Sequence, residues 1–223
     1  MLFGATLGQE IIKLKNRYMS NPETIHTSQH VEDSYLKQFY YQVEEREKFS
    51  MLVHLIKKEQ PVLGIVFCMT KRTADVVARN LKMQGIKAQA MHGNMTQNRR
   101  LFILDSFHKG NTPILVATEL AARGLDIKNV THIFNFNLPR NPEDYIHRIG
   151  RTARAGESGK AITLLAPSDF DSMRAIEGRY PIKVARAERE EFQRVPFISG
   201  SRDAGNSRFS RGRFQNSNGP RRF

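Results

Sequence analysis

Three short segments of this 223-residue chain carry residues whose types and spacing suit phosphate chemistry. The first is Pro142–Arg154, PEDYIHRIGRTAR. On a helix, His147 and Arg151 at i, i+4 and Arg151 and Arg154 at i, i+3 share one face. Arginine presents a planar fork of donors to phosphate oxygens and a fixed positive charge to a transition state. A solvated basic face is the alternative reading. The second segment is Leu115–Ile127, LVATELAARGLDI. Thr118 and Arg123 suit contact with a phosphodiester backbone, Asp126 can accept from a sugar hydroxyl, and Gly124 permits close approach of the main chain. An ordinary strand-to-helix turn would also use these residues. The third is Met91–Arg100, MHGNMTQNRR. Thr96 or Asn94 can cap a helix there, with Gln97 and Arg100 on one face of its first turn. A helix N-terminus beside an arginine suits a phosphate.

Such residues act together only if a rigid frame sets them side by side. Short apolar runs recur at Leu36–Val43, Val62–Phe67, Lys87–Met91, Ile114–Ala117, Val130–Phe136 and Ala161–Leu165. Amphipathic stretches, among them Lys71–Met83 and Gln97–Phe107, lie between them. Val62–Phe67 and Ile114–Ala117 are apolar throughout, as strands covered on both faces must be. Strands alternating with helices predict an α/β fold with a parallel sheet and helices on both faces. Ligands of such folds gather at the carboxyl ends of the strands, where the three segments begin. Asn141 as cap, Pro142 at the first position and Glu143 and Asp144 in the first turn predict a helix starting at Pro142. Further helix-like residues run over Gln9–Tyr18, preceded by a strand end at Met1–Phe3.

Charge points to the same class of partner. Lys+Arg number 35 and Asp+Glu 22, a net +13. So large an excess favours a polyanion, nucleic acid before an anionic membrane surface. The single cysteine, Cys68, excludes an internal disulfide and a multi-cysteine zinc site. It reads as an inert buried thiol at a strand end. His26 and His30 lack a clear third ligand, so no metal site is expected. No apolar run has the ~20 residues of a membrane helix, and no signal peptide is evident, so a reduced, cytoplasmic protein is expected. Ser199–Phe223 has no Leu, Ile, Val or Met and carries six arginines against one acid. That composition predicts a disordered basic tail. Its Arg208, Arg211 and Arg213 alternate with phenylalanines, a pairing that suits phosphates and unpaired bases. A solubilising linker is the other reading.

Taken together, the segments resemble the C-terminal half of the DEAD-box RNA helicases. Ile65–Thr70 with Lys71 is similar to motif IV and Gln97–Arg100 to the QxxR element. Leu115–Ile127 is similar to motif V and His147–Arg154 to motif VI. MLFGAT at the start resembles motif III, normally Leu-Phe-Ser-Ala-Thr, making Gly4, Ala5 and Thr6 its remnant and Met1 an interior residue of a longer protein. The resemblance implies a RecA-like domain. It implies that Arg151 and Arg154 act as arginine fingers on ATP, that Asp126 and Gly124 meet the nucleotide, and that His147 couples to motif III. Thr70, Lys71, Gly93, Gln97, Arg100, Thr118 and Arg123 would grip the RNA backbone. ATP with Mg2+ would be held mainly by a first helicase domain, supplied in cis or in trans. Neither a G-x-x-x-x-G-K-[ST] loop nor an Asp-Glu-Ala-Asp run occurs in these residues. The stretch Gly156 to Lys160 only mimics a phosphate loop.

The implied organisation is a first-domain remnant and linker over 1–30, a RecA-like helicase domain over 31–182, an extension over 183–198 and the tail over 199–223. Three residues depart from the family pattern. Gly4 stands in place of serine, Glu119 in place of aspartate, and Ala153 in place of the common glycine of motif VI. Since alanine and glycine are both small, little effect is expected of Ala153. The alternative function is a non-enzymatic RNA-binding or annealing module.

Overall fold

The structure is a computed structural model that describes residues 9–25, 35–123, 127–153 and 157–199. Gly4, Ala5, Thr6, His26, His30, Gly124, Asp126, Arg154, Arg208, Arg211 and Arg213 lie outside the described residues. A first helix, α1, spans Gln9–Tyr18 as the sequence predicts. The following strands are β1 Leu36–Gln42, β2 Gly64–Cys68, β3 Ala88–Met91, β4 Ile114–Thr118, β5 His132–Asn135, β6 Gly159–Leu165 and β7 Ala185–Arg186. They form a seven-stranded sheet in the order β3-β4-β2-β5-β6-β1-β7. Every pairing within it is parallel. The α/β expectation holds. The second apolar run starts two residues later and ends one residue later than expected, because Val62 is exposed and Cys68 completes the strand.

All residues of β2, β4 and β5 are buried. Their side chains alternate between two cores, as the pleat requires. Ile65, Phe67, Leu115 and Ala117 join one, and Val66, Cys68, Ile114 and Val116 the other. The first core is closed by α4 Gln97–His108, α5 Glu119–Ala122, α6 Pro142–Ile149 and α7 Phe170–Arg179. The second is closed by α2 Lys48–Glu59 and α3 Lys71–Met83. Burial also pushes the Cys68 thiol pKa well up, which leaves it inert.

Helix α2 escapes the periodic pattern for a physical reason. Its run from Lys48 to Val53 is buried on all sides, because its outer face is covered too. Residues 187–199 cross it as an extended strap. Phe197 packs tilted against Phe49 with ring centroids 4.8 Å apart, and the Phe192 ring lies 6.3 Å from that of His54. Glu190 fastens the strap: its carboxylate accepts from the Tyr41 hydroxyl at 2.7 Å and from Lys58 Nζ at 2.6 Å, and meets His54 Nε2 at 2.8 Å. Ser50 Oγ accepts from Val195 N at 3.1 Å. Asn80 of α3 holds the end, accepting from Ile198 N at 2.9 Å and donating to its carbonyl at 3.0 Å. The packed body therefore continues through the extension, with β7 as an edge strand of the sheet.

The turn after α6 is tightly constrained. Thr152 donates its hydroxyl to the Val130 carbonyl, and Ala153 has φ +54°. A Cβ at Gly159 would lie 2.2 Å from Thr152 Oγ1 and 2.8 Å from Ala153 N. Glycine at the start of β6 is thus demanded by close approach, and Lys160 beside it donates to Glu59 at 2.5 Å rather than cradling a phosphate. The expectation that Ala153 is equivalent to glycine is corrected, since a Cβ at positive φ costs about 1–2 kcal/mol.

Two predictions follow from these constraints. Ala153→Gly should raise stability by about 0.5–1 kcal/mol and Gly159→Ala lower it by about 1–3 kcal/mol, read from urea midpoints. Equal midpoints for all three proteins would refute the close-packed turn. Burial raises the Glu190 pKa, but bonds from Lys58, His54 and Tyr41 outweigh that and hold it down at about 2. The unfolded chain therefore takes up this proton first. The Glu190 contribution is present above the unfolded value of about 4.3 and is lost as pH falls toward 2. Glu190→Gln should cost on the order of 2 kcal/mol at pH 7 and little at pH 2, checked by denaturation across that range.

Candidate nucleotide and nucleic-acid interface

The candidate residues lie where strands end. Thr70 follows β2 and caps α3, its hydroxyl accepting from Thr73 N at 3.0 Å. Thr96 caps α4 in the same way, accepting from Arg99 N at 3.3 Å. Asn94 instead accepts from Lys71 Nζ, joining the start of α3 to the loop after β3. Gly93 lies in that loop with Lys71 Cε 3.9 Å from where its Cβ would be. Gln97 is exposed, while half-buried Arg100 donates to the Ala121 carbonyl of α5 at 3.2 Å. Arg100 Nε is buried with no hydrogen-bond partner. Thr118, the last residue of β4, is buried and leads directly into α5.

Helix α6 forms as its sequence dictates. Asn141 caps it, accepting from Glu143 N at 3.1 Å, with Pro142 behind. The helix stops at Ile149, so Arg151 belongs to the turn beyond, its N–H bonded to the Arg148 carbonyl at 3.0 Å. The anticipated common helical face of His147 and Arg151 is thus interrupted by that turn. Arg123, just after α5, donates to the Asp144 carboxylate. It also lies 3.3 Å from His147 Nδ1 and 3.7 Å from Glu119 Oε1. Contacts therefore run without a gap from α3 through the β3–α4 loop, α4 and α5 to α6.

The residue that secures this string was absent from the sequence-derived set. Arg148 is 3% exposed. It donates to Glu119 Oε2 at 2.8 Å, to the Asn137 carbonyl at 2.7 Å and to Asn135 Oδ1 at 3.3 Å. Its guanidinium lies 4.9 Å from the Phe67 ring centroid. Burial lowers its pKa, opposed by Glu119. A signal did exist: Tyr145, Arg148 and Ile149 fall at i, i+3 and i+4, the buried face of α6. Asn137 was likewise missed; its side chain accepts from Met69 N at 3.2 Å, tying the end of β2 to the approach to α6.

Glu119, Asp144 and His147 come within 4.8 Å of one another, the one group of potential metal ligands found among the described residues. Arg148 and Arg123 already compensate both carboxylates. The donor set does not fit a magnesium ion.

The helicase conserved C-terminal domain model matches residues 47–156. In E. coli, the DEAD-box protein SrmB, solved with regulator of ribonuclease activity A, is 37% identical with a TM-score of 0.66. That match covers 70% of this chain and 91% of the SrmB chain. This chain belongs to the DEAD-box helicases and forms their C-terminal domain. DEAD-box ATP-dependent RNA helicase CshA of Bacillus licheniformis is 44% identical over 178 residues, 79% of this chain and 37% of the relative. The chain thus spans a little over a third of the length of that curated relative. S. cerevisiae Dbp5 bound to RNA and ADP BeF3 is 31% identical with a TM-score of 0.76, over 83% of this chain and 50% of Dbp5.

Within this DEAD-box domain, Arg148→Met should destabilise by about 3–5 kcal/mol, since it strands the Glu119 carboxylate and two further acceptors. Thermal unfolding measures it; a midpoint within a degree of the parent's would show that the network holds nothing together.

Proposed function

We propose that this chain is the C-terminal half of an ATP-dependent RNA helicase, gripping RNA and supplying arginines to ATP held by a first helicase domain. The observation that carries the proposal is the unbroken string of contacts along the sheet's carboxyl edge. It connects the proposed RNA contacts, Lys71, Gly93, Arg100 and Arg123, with the proposed ATP-facing His147, and the turn after α6 continues from there to Arg151. Thr70, Gln97 and Thr118 belong to the same RNA-facing edge. Arg208, Arg211 and Arg213 would add a tethered RNA contact. Backbone contacts of this kind position RNA without reading its sequence.

Arg123 gives the reading a mechanism. Held by Asp144 and beside His147, it can exchange that carboxylate for an RNA phosphate, which shifts the charge balance around α6. RNA occupancy would so reach the turn carrying Arg151. Arg151 and Arg154 would place fixed positive charge where negative charge develops on the transferring phosphoryl group, while Asp126 and Gly124 meet the nucleotide. Mg2+ would neutralise phosphate charge, held by the first domain. Dbp5 bound to RNA and ADP BeF3, together with the helicases matched by sequence, supports the enzymatic reading over a passive annealing module. A cytoplasmic setting goes with it.

The 223 residues alone should show no RNA-stimulated ATPase. Joined to a first helicase domain, Arg151→Ala or Arg154→Ala should cut hydrolysis by about 10³-fold or more, with RNA affinity in the absence of nucleotide nearly unchanged. Steady-state turnover and RNA binding by anisotropy provide the test. Full turnover by both variants would overturn the assignment.

A further inference from the structure

Resting on the RNA-binding reading above, we propose that Phe102 and Arg99, on the outer side of α4, form a stacking platform for an unpaired base of the bound RNA. Leu101, Phe102, Ile103 and Leu104 follow one another in α4. On a helix such a run cannot all face inward. Ile103 is buried in the first core and Leu104 packs against it, while Leu101 and Phe102 are turned to solvent. Phe102 is 59% exposed and Leu101 54%. More than half of each side chain thus lies in water, and adjacent large apolar groups left in water mark a contact surface.

The surroundings select a nucleic acid as the occupant. The Arg99 guanidinium lies over the Phe102 ring, 5.4 Å from its centroid, so a cation stands beside the exposed aromatic. Arg99 is itself exposed and has no carboxylate partner among the described residues. Asp105, one turn beyond Phe102, is compensated by Lys109 at 2.8 Å. An anion approaching Phe102 therefore meets positive charge. Asn98, at i, i+4 from Phe102, adds an exposed amide on the same side. The surface is also continuous with the proposed RNA edge. Gln97 and Leu101 lie at i, i+4, and Phe102 is about 7.5 Å along the axis from Gln97 at 1.5 Å rise per residue. A base projecting from a backbone held at Gly93 and Gln97 can reach this second turn of α4. Unstacked bases lie on aromatic rings, and the phosphate next to such a base can take Arg99. The platform adds a sequence-tolerant base contact to a grip on the backbone.

The test uses the whole chain and fluorescence anisotropy over a salt series, with a labelled unstructured RNA of about 12 nucleotides and a matched strand lacking its bases. Phe102→Ala should weaken binding of the base-carrying RNA about fivefold or more, the cost of losing one stacked base. Its salt slope should stay that of the parent, because stacking releases no counterions. Affinity for the abasic strand should be unchanged, and Phe102→Tyr should keep the parent's affinity for both. Arg99→Gln should flatten the salt slope by about 0.7, the value for one phosphate on a single strand. Equal losses on the two strands, or no rescue by Phe102→Tyr, would show a disturbed helix and refute the platform. If the parent binds RNA and Phe102→Ala binds it equally well, the RNA-binding reading survives, the platform alone falls, and Leu101 and Phe102 are left to a protein partner. If the parent binds neither strand, the RNA-binding reading itself fails. Phe102 and Arg99 are both exposed, so circular dichroism should show an unaltered fold.

Discussion

The candidate site depends on a single buried cation. Arg148 lies beneath the carboxyl edge of the sheet, and its donors reach Glu119 at the head of α5, Asn135 at the end of β5 and the Asn137 carbonyl before α6. A guanidinium can do this because its donors are fixed in one plane and diverge. Removing such a charge from water costs several kcal/mol, and a carboxylate at 2.8 Å with neutral acceptors around it offsets that cost. The arrangement has geometric value beyond its net energy. It fixes α5 relative to α6, and so fixes Arg123 relative to His147.

From that anchor, polar contacts pass outward in order of increasing exposure. Asn135 donates to Thr163 Oγ1 at 3.2 Å inside the sheet. Glu119 bridges Arg148 and the half-exposed Arg123, which turns to Asp144. The replacement of aspartate by Glu119 thus has a structural use, because the longer arm faces two arginines. At the outer end, the exposed cations Lys71 and Arg123 are held by Asn94 and Asp144 at the rim of this rigid interior.

The opposite face has a different logic. There α2 is covered by the strap, whose latch at Glu190 combines three donors on one carboxylate. The strap stabilises the second core and carries the chain from the β7 edge to α3.

Much of this was legible in the sequence. Apolar runs of strand length, caps at Thr96 and Asn141, and the spacing of HRIGRTAR specified a parallel α/β domain with its chemistry at the carboxyl edge. These signals are local: a cap or a pleated run depends on residues a few positions apart. What the tertiary structure decided depends on partners far along the chain. Arg148 reads as one more basic residue until Glu119 and Asn135 are brought to it. Helix α2 loses its amphipathic pattern because residues 187–199 bury its outer side. Ala153 looks interchangeable with glycine until its positive φ and the approach of Gly159 are known. Burial by distant segments, and the backbone angles that close packing imposes, leave no periodic trace in the sequence, so only the folded chain reveals them.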